Sequence, residues 1–205
     1  MKKWNNLNLN NTIIRYLTKN SFYFPLPLQA ISIPIFLEGC DLLCLSKTGS
    51  GKTLCYIIPV IKHVEILGIQ KDSRCFLDIV IIPTRELIVQ ISREFYPFTR
   101  IIDFLIKSFY GGSISIRKLK NSGKKLTLLI STPRKLIEVA LFNEILFYDS
   151  KTIVIDEADK IFELGFEFQI KKILLNCRPD KQICMYSASS PIKVILNLIL
   201  VRFQY

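Results

Sequence analysis

Short apolar runs alternate with longer amphipathic stretches along most of this chain. The runs are DLLCLS, FLDIVIIP, LIKSFY, LTLLIST, KTIVID and KQICMYS, which begin at residues 41, 76, 105, 126, 151 and 181. Their length and their apolar character at successive positions predict strands that are buried on both faces. The stretches between them predict helices over residues 52–66, 85–98, 113–121, 133–146, 160–175 and 191–201, after an earlier helix that begins at Pro27. We expect the asparagine-rich opening to fray.

Strands of this kind, each followed by a helix, predict an α/β fold with a doubly wound parallel sheet and helices on both faces. Ligands of such sheets bind at the carboxyl ends of the strands. The residues that follow the six runs are SKTGSGKT, PTREL, YGG, STPRK, DEAD and SASS, all rich in glycine, hydroxyls, proline or charge. We therefore expect the functional site at this edge of one domain without an internal boundary.

Composition and charge narrow the classes of partner. The 205 residues carry a formal net charge of +11, which favours a polyanionic partner. The run SIRKLKNSGKK, at residues 115–125, is either a solvated helix face or a nucleic-acid contact. The apolar runs are too short to span a membrane, and the opening lacks the apolar segment of a secretory signal. We expect an intracellular protein whose six cysteines are reduced, since their spacing fits no zinc site.

The segment SKTGSGKT has the residue types that bind a chain of phosphates. Gly49 and Gly51 allow the loop to turn its backbone N–H groups inward, and a helix that begins at Lys52 directs its positive end to the same point. Lys52 can reach the outer phosphates, and the Thr53 hydroxyl can hold Mg²⁺. A glycine-rich turn before a helix is the plainer alternative. The residues expected to bind the nucleotide here are Ser46, Lys47, Thr48, Gly49, Ser50, Gly51, Lys52 and Thr53.

The run KTIVIDEAD supplies the acidic residues that a phosphate loop requires. Asp156 follows an apolar strand and is placed to hold Mg²⁺ through water, and Glu157 beside it can orient and activate the attacking water. An acidic helix start is the alternative for these residues alone. Lys52, Asp156 and Glu157 are therefore the candidate catalytic residues.

With these motifs in order, the chain resembles the first RecA-like domain of DEAD-box ATP-dependent RNA helicases, from Trp4 to about Pro191. SKTGSGKT, PTREL, GG, DEADKIFELGFEFQI and SAS at residues 187–189 carry the resemblance. The departures from the family pattern are Ser46 for alanine, Ile88 for alanine, Phe168 for proline, Ser189 for threonine, and Arg134 with Lys135 for glycine and arginine.

The resemblance also implies roles upstream of the phosphate loop. FYFPLPLQ resembles the family's adenine-recognition element, in which Phe22 would stack on the base and Gln29 would bond its edge. Trp4 stands where the family often has an isolated aromatic residue, whereas Leu26 stands where threonine or serine is usual. Residues 1–38 are thus expected to form an adenine-recognition segment of the same domain as residues 39–205.

For RNA, the resemblance implies contacts to phosphate and sugar that do not depend on sequence. Arg134 would either disturb a close backbone approach or add a useful cation. Asp159, Ser187 and Ser189 would couple the nucleotide site to the RNA. The residues expected to contact RNA are Pro83, Thr84, Arg85, Gly112, Thr132, Arg134 and Lys135.

The resemblance implies the ATPase half of an RNA helicase, with ATP and Mg²⁺ as cofactors. The motifs of the second RecA-like domain, which supplies an arginine finger, do not occur in these 205 residues, so that domain is an expected partner in cis or in trans. A non-catalytic nucleotide- or RNA-binding half-helicase, and a P-loop ATPase that acts on something other than RNA, are the alternatives. CRPDKQICMYSAS and YGG favour pre-mRNA processing, then ribosome assembly, and hence the nucleus or nucleolus.

Overall fold

A parallel six-stranded sheet organises the computed structural model, which describes residues 3–67, 76–102, 104–111, 127–141 and 150–189. The strands are β1 (Leu42–Leu45), β2 (Phe76–Ile81), β3 (Leu105–Phe109), β4 (Thr127–Ser131), β5 (Thr152–Ile155) and β6 (Gln182–Ser187). Their order is β1-β6-β5-β2-β4-β3, and every neighbouring pair is parallel. The predicted strands and their common direction are confirmed. The predicted helices 113–121 and 191–201 and the basic run lie outside the described residues.

Helices cover both faces of the sheet, as the doubly wound prediction requires. Alternate residues of β2 point to opposite cores, so that Val80 packs in one and Ile79 in the other. The first four helices share the core of Val80, and the last three share that of Ile79. No helix in the described ranges combines the length and the apolarity that crossing a membrane requires. The helices are α1 (Asn11–Lys19), α2 (Pro27–Leu37), α3 (Lys52–Leu67), α4 (Arg85–Thr99), α5 (Pro133–Leu141), α6 (Ala158–Glu163) and α7 (Glu167–Asn176).

The asparagine-rich opening packs against the domain, so the prediction that it frays was wrong. Residues Trp4–Leu7 form a 3₁₀ turn whose Trp4 side chain is only 2% exposed. Asn10 then caps α1, because its side chain accepts a hydrogen bond from the Thr12 N–H at 2.8 Å. The apolar residues between the asparagines therefore supply burial, and Asn10 supplies the start of a helix.

The single helix predicted over residues 160–175 was also wrong, because the chain breaks between α6 and α7. Gly165 has a φ of +76°, which favours glycine and ends α6. The N–H groups of Gly165 and Phe166 donate to the carbonyls of Phe162 and Ile161 at 2.9 and 3.1 Å. This pair of bonds is a Schellman motif. A helical periodicity continues on both sides of the glycine, which is why the pattern alone suggested one element.

A half-buried histidine and a buried aspartate meet at the amino-terminal end of the strands, away from the loops described below. His63 Nδ1 on α3 lies 3.6 Å from Oδ1 of Asp78 on β2, and Asp78 is only 1% exposed. Burial lowers the pKa of His63, but the contact with Asp78 and its charge outweigh burial, so the net pKa is raised despite opposition from Lys151. Protonated His63 is therefore favoured in the folded chain over the unfolded one.

This pair predicts a pH dependence of stability. A raised folded pKa adds stability that is fully present below the unfolded value of about 6.5 and is lost as the pH rises through the folded value. In urea unfolding, the loss of stability in His63→Gln should be larger at pH 5.5 than at pH 8.5. Asp78→Asn, which keeps the imidazole but removes the charge, should lose this pH dependence. The same loss of unfolding free energy in His63→Gln at pH 5.5 and at pH 8.5 would contradict this role of the pair.

Candidate functional site

A cavity of about 500 Å³ lies at the carboxyl ends of β1 and β5. The loop between β1 and α3 forms its floor, and the segment before α2 forms one wall. Asp156 and Glu157, which follow β5, form the opposite side together with residues of α4. Of the predicted nucleotide-binding and catalytic residues, those that line the cavity are Phe22, Gln29, Thr48, Gly49, Gly51, Lys52, Thr53, Asp156 and Glu157.

The phosphate-loop glycines adopt the backbone conformation that the sequence predicted for them. Gly49 and Gly51 have φ values of +77° and +83°. At Gly51 an added Cβ would also stand 2.7 Å from Gln29 Nε2 and from Leu26 Cδ1, so the ends of both side chains would have to move. The positive φ therefore favours glycine at position 51, and a side chain there would also displace the Gln29 amide.

Lys52 begins α3 and its side chain turns back across the loop. Its Nζ donates to the backbone oxygen of Ser46 at 2.5 Å and lies 3.4 Å from that of Lys47. The hydroxyls of Ser46 and Ser50 are 2.8 Å apart, so the serine that departs from the family pattern closes the loop with a side-chain hydrogen bond. The helix start and the lysine cation thus face the same cavity, which favours an anionic ligand.

Gln29 connects the first helices to the phosphate loop. Its Oε1 accepts from the Leu26 N–H at 2.9 Å, and its Nε2 donates to the Gly51 carbonyl at 3.1 Å. Leu26 has no side-chain oxygen, so only the glutamine half of a capping box is present at the start of α2. An amide oxygen can accept twice and an amide nitrogen can donate twice, so one acceptor and one donor position are left for a ligand.

The aromatic residue predicted to stack on a base lies at the mouth of the cavity. Phe22 is 45% exposed and lines it. Its backbone carbonyl accepts a hydrogen bond of 2.7 Å from the Trp4 indole Nε1. Trp4 is buried, so the opening turn of the chain fixes the backbone that presents the Phe22 ring. This hydrogen bond explains why an aromatic residue so far upstream belongs to the same site.

Asp156 is buried, and two hydrogen bonds fix its carboxylate. Oδ1 accepts from the Glu157 N–H at 2.8 Å, and Oδ2 accepts from the Tyr56 hydroxyl at 2.7 Å. Burial raises the pKa of Asp156, and these two bonds act against that rise. Sequence reasoning missed Tyr56 because it lies among apolar residues of α3. Tyr56 follows Lys52 by four residues, and residues i and i+4 share a helix face. This spacing was the signal in the sequence that Tyr56 lies on the same side of α3 as Lys52.

Glu157 occupies a strained backbone position beside Asp156. Its φ of +48° lies in the left-handed region, which is unusual for a residue with a side chain. Its carboxylate forms an ion pair of 2.8 Å with Lys160, one turn into α6. The backbone turn at Glu157 thus presents both carboxylates of the DE pair to the cavity before the helix begins.

The structure brings together Asp159, Ser187 and Ser189, the three residues predicted to couple the nucleotide site to RNA. Asp159 Oδ2 accepts from the N–H groups of Ala188 and Ser189 at 3.0 Å each, and from the Ser189 hydroxyl at 3.3 Å. The Asp159 N–H donates to the Ser187 hydroxyl at 3.2 Å. Burial alone would raise the pKa of Asp159, but the hydrogen bonds that its carboxylate accepts from Ser189, Ala188 and the Lys160 N–H hold it below its usual value.

The residues predicted to contact RNA lie after β2 and β4, next to the end of β3. Thr84 caps α4, and the exposed Arg85 guanidinium lies 5.1 Å from the ring centre of Tyr110, a contact that sequence reasoning missed. Pro83 is buried, and the Thr132 N–H donates to Phe109 at 3.2 Å. Because β2, β4 and β3 are neighbours in the sheet, these loops form one continuous edge. Gly112 lies outside the described residues.

Two cations begin α5 at this edge. The Arg134 side chain is 81% exposed and its Nε lies 3.7 Å from Glu138. Lys135 Nζ lies 2.8 Å from the same carboxylate. The Glu138 carboxylate therefore pairs with two cationic side chains, which leaves a net positive charge at the start of the helix.

Within the described residues, no group of three or more histidine, cysteine, aspartate or glutamate side chains could hold a metal ion. The buried Asp156 carboxylate and the Thr53 hydroxyl are oxygen donors that line one cavity, and oxygen donors suit Mg²⁺, which keeps several waters and binds through one or two carboxylates and substrate phosphates.

Comparison with known proteins places these features in a family. Residues 26–198 match the DEAD/DEAH box helicase family. The pre-mRNA-processing ATP-dependent RNA helicase PRP5 of Lodderomyces elongisporus is 38% identical over 176 residues, which are 84% of this chain and 18% of that protein. The human probable ATP-dependent RNA helicase DDX46 is 30% identical over 93% of this chain and 19% of its own length.

Solved structures agree with the sequence relatives. The crystal structure of a DEAD box protein from the hyperthermophile Methanococcus jannaschii superposes with a TM-score of 0.86 at 30% identity, over 97% of this chain and 53% of that one. This chain spans about a fifth of the length of the curated relatives that it matches. On its matched residues, its fold and its motifs, the chain belongs to the DEAD/DEAH box helicase family.

Proposed function

We propose that this chain is the nucleotide-binding half of an ATP-dependent RNA helicase, which binds ATP with Mg²⁺ and couples its hydrolysis to RNA binding. The observation that carries the proposal is that one cavity is lined by Lys52, Thr53, Gln29, Asp156 and Glu157. Membership of the family and the names of the relatives support it. Residues 1–38 and 39–205 would act as one ATP-binding domain.

The adenine end of the nucleotide would be recognised by the segment before α2. Phe22 would stack on the base, and the remaining donor and acceptor of the Gln29 amide would bond its edge, since adenine presents both kinds of group. The same amide bonds Gly51 of the phosphate loop. Base recognition and phosphate binding would therefore be joined through one side chain.

The phosphates would lie over the loop of residues 46–53. Its backbone N–H groups, the start of α3 and the Lys52 ammonium would stabilise their charge. Thr53 and Asp156 would hold Mg²⁺, which when bound would neutralise charge on the phosphate oxygens. Glu157 would orient the attacking water and accept its proton, for which its carboxylate must be ionised.

RNA would cross the edge formed by the loops after β2, β3 and β4. Arg85, Arg134 and Lys135 supply positive charge there, and Thr84 and Thr132 would supply hydroxyl and backbone contacts. Contacts to phosphate and sugar carry little base information, so binding would be independent of sequence. The bonds from Asp159 to Ser187 and Ser189 would transmit the state of the nucleotide site to this edge.

A second RecA-like domain, in cis or in trans, would complete the enzyme. In phosphoryl transfer an arginine finger accounts for about 10³–10⁵ in turnover, and a site that closes also excludes water. The chain corresponds to about half of the Methanococcus jannaschii protein. Full ATPase and helicase activity would therefore depend on that partner, with ATP binding already present in this half.

We further propose pre-mRNA processing in the nucleus as the setting. The relatives named pre-mRNA-processing helicases include the 38% identical protein of Lodderomyces elongisporus and a 34% identical protein of Candida albicans. A chain with a net charge of +11 suits an RNA-rich compartment. Co-purification of the tagged chain with spliceosomal rather than ribosomal-precursor RNA would test this setting.

The first prediction concerns the two charged groups of the nucleotide site. Lys52→Ala should weaken binding of fluorescent ATP or ADP by about 30-fold or more, since truncating one partner of a close charge pair costs roughly 2–5 kcal/mol. Glu157→Gln should retain binding, because the amide preserves the shape of the side chain. It should lose hydrolysis, because the amide cannot accept a proton. Lys62→Ala, on the same helix in an ion pair with Glu65, is the control. Unchanged affinity in Lys52→Ala would refute the site.

The second prediction concerns the cations at the start of α5. Replacing Arg134 and Lys135 with alanine should weaken binding to all single-stranded RNA sequences alike. The plot of log affinity against log salt should flatten by about one unit for each lost phosphate contact. Arg15→Ala with Lys19→Ala removes equal charge from the exposed face of α1 and should leave the slope unchanged. Equal effects of the two double variants would show that the α5 cations act only through net charge.

A further inference from the structure

The Tyr56 hydroxyl forms a hydrogen bond with a carboxylate of the candidate site. Tyr56 lies on α3, one turn after Lys52 and Thr53, and is completely buried. Its hydroxyl donates to Asp156 Oδ2 at 2.7 Å. This bond joins α3, which carries Lys52 and Thr53, to Asp156, the predicted metal-binding residue that follows β5.

The Tyr56 ring has little freedom to move away from this bond. Its centre lies 5.2 Å from that of Tyr186 and 6.4 Å from that of Phe95. Close packing of this kind restricts a core side chain to one rotamer. The packed rings therefore hold the hydroxyl at its position beside Asp156.

Packing alone does not require a hydroxyl at this position. Phenylalanine would fill the same volume, and a buried hydroxyl is costly unless it is hydrogen-bonded. The hydrogen bond to the Asp156 carboxylate offsets the cost of burying the Tyr56 hydroxyl. With the Glu157 N–H on Oδ1 and Tyr56 on Oδ2, each oxygen keeps one lone pair that no group in the described part of the chain occupies, and the plane of the carboxylate is defined.

We propose that Tyr56 is a positioning residue that orients Asp156 toward a hydrated divalent cation and so sets the Mg²⁺ concentration at which the chain binds adenine nucleotide. The inference rests on the proposed function. Hydrogen-bond partners of metal-holding carboxylates typically account for 10–100-fold in metal affinity. Tyr56 also links α3, which carries Thr53, to Asp156 at the end of β5. The side chains of Thr53 and Asp156 both line the cavity.

The test is Tyr56→Phe, which removes one oxygen atom from the core. Binding of fluorescent ADP is measured while Mg²⁺ is titrated, and again in excess chelator. The half-saturating Mg²⁺ concentration should rise about 10–100-fold, whereas affinity in chelator should change less than about twofold. Tyr186→Phe is the matched control, because it removes a buried hydroxyl that bonds the Cys55 carbonyl at 3.3 Å in the same core. It should leave both affinities unchanged.

A second measurement needs neither nucleotide nor metal. In Mg²⁺-free buffer, the shifts in urea midpoint caused by Tyr56→Phe and Asp156→Asn should be non-additive in the double variant, because the first removes the donor of the bond and the second removes the charge of its acceptor. Tyr186→Phe with Asp156→Asn should be additive. Additive shifts for Tyr56 and Asp156 would overturn the proposed bond.

The binding experiment separates the two claims. Mg²⁺-dependent binding by the unaltered chain with the same Mg²⁺ requirement in Tyr56→Phe would overturn the role of Tyr56 and leave the proposed function intact. Equal loss of affinity with Mg²⁺ and with chelator would also overturn it, since Tyr56 would then act on the loop and not on the cation. Failure of the unaltered chain to bind nucleotide at all would refute the proposed function, and the role of Tyr56 with it.

Discussion

The common direction of the six strands is the constraint on which the rest of the structure depends. Because every pair is parallel and both faces of the sheet are covered by helices, polar groups can gather only at an end of the sheet. At the carboxyl end, short loops place Lys52, Asp156 and Arg85 on neighbouring parts of one edge. The apolar core that makes the sheet stable therefore also determines where a charged ligand can bind.

Side-chain hydrogen bonds then connect the loops of that edge to one another. Gln29 joins the opening segment to the phosphate loop, Tyr56 joins the phosphate-loop helix to Asp156, and Asp159 joins the DEAD segment to Ser189. Each of these bonds joins two segments of the edge, and those of Gln29 and Tyr56 also provide partners for buried polar groups.

The sequence predicted the parts of the structure that depend on local pattern. Apolar runs identified the strands, and glycine spacing identified Gly49 and Gly51 as turn positions. It did not predict what depends on contacts between distant residues, such as the burial of Trp4 or the bond from Tyr56 to Asp156. The break at Gly165 was missed for another reason, since the same apolar periodicity continues through it. Roles in the site came from resemblance to a family, because spacing alone cannot show which groups meet.

The central claim is that this chain holds the nucleotide while a second RecA-like domain supplies most of the turnover. The most direct measurement is the steady-state hydrolysis of ATP by the purified 205-residue chain with saturating RNA, alone and with the second domain of a relative added in trans. The account predicts turnover near that of Glu157→Gln for the chain alone, and an increase of at least about 10³-fold with the added domain. Strong RNA-stimulated hydrolysis by the chain alone would contradict it.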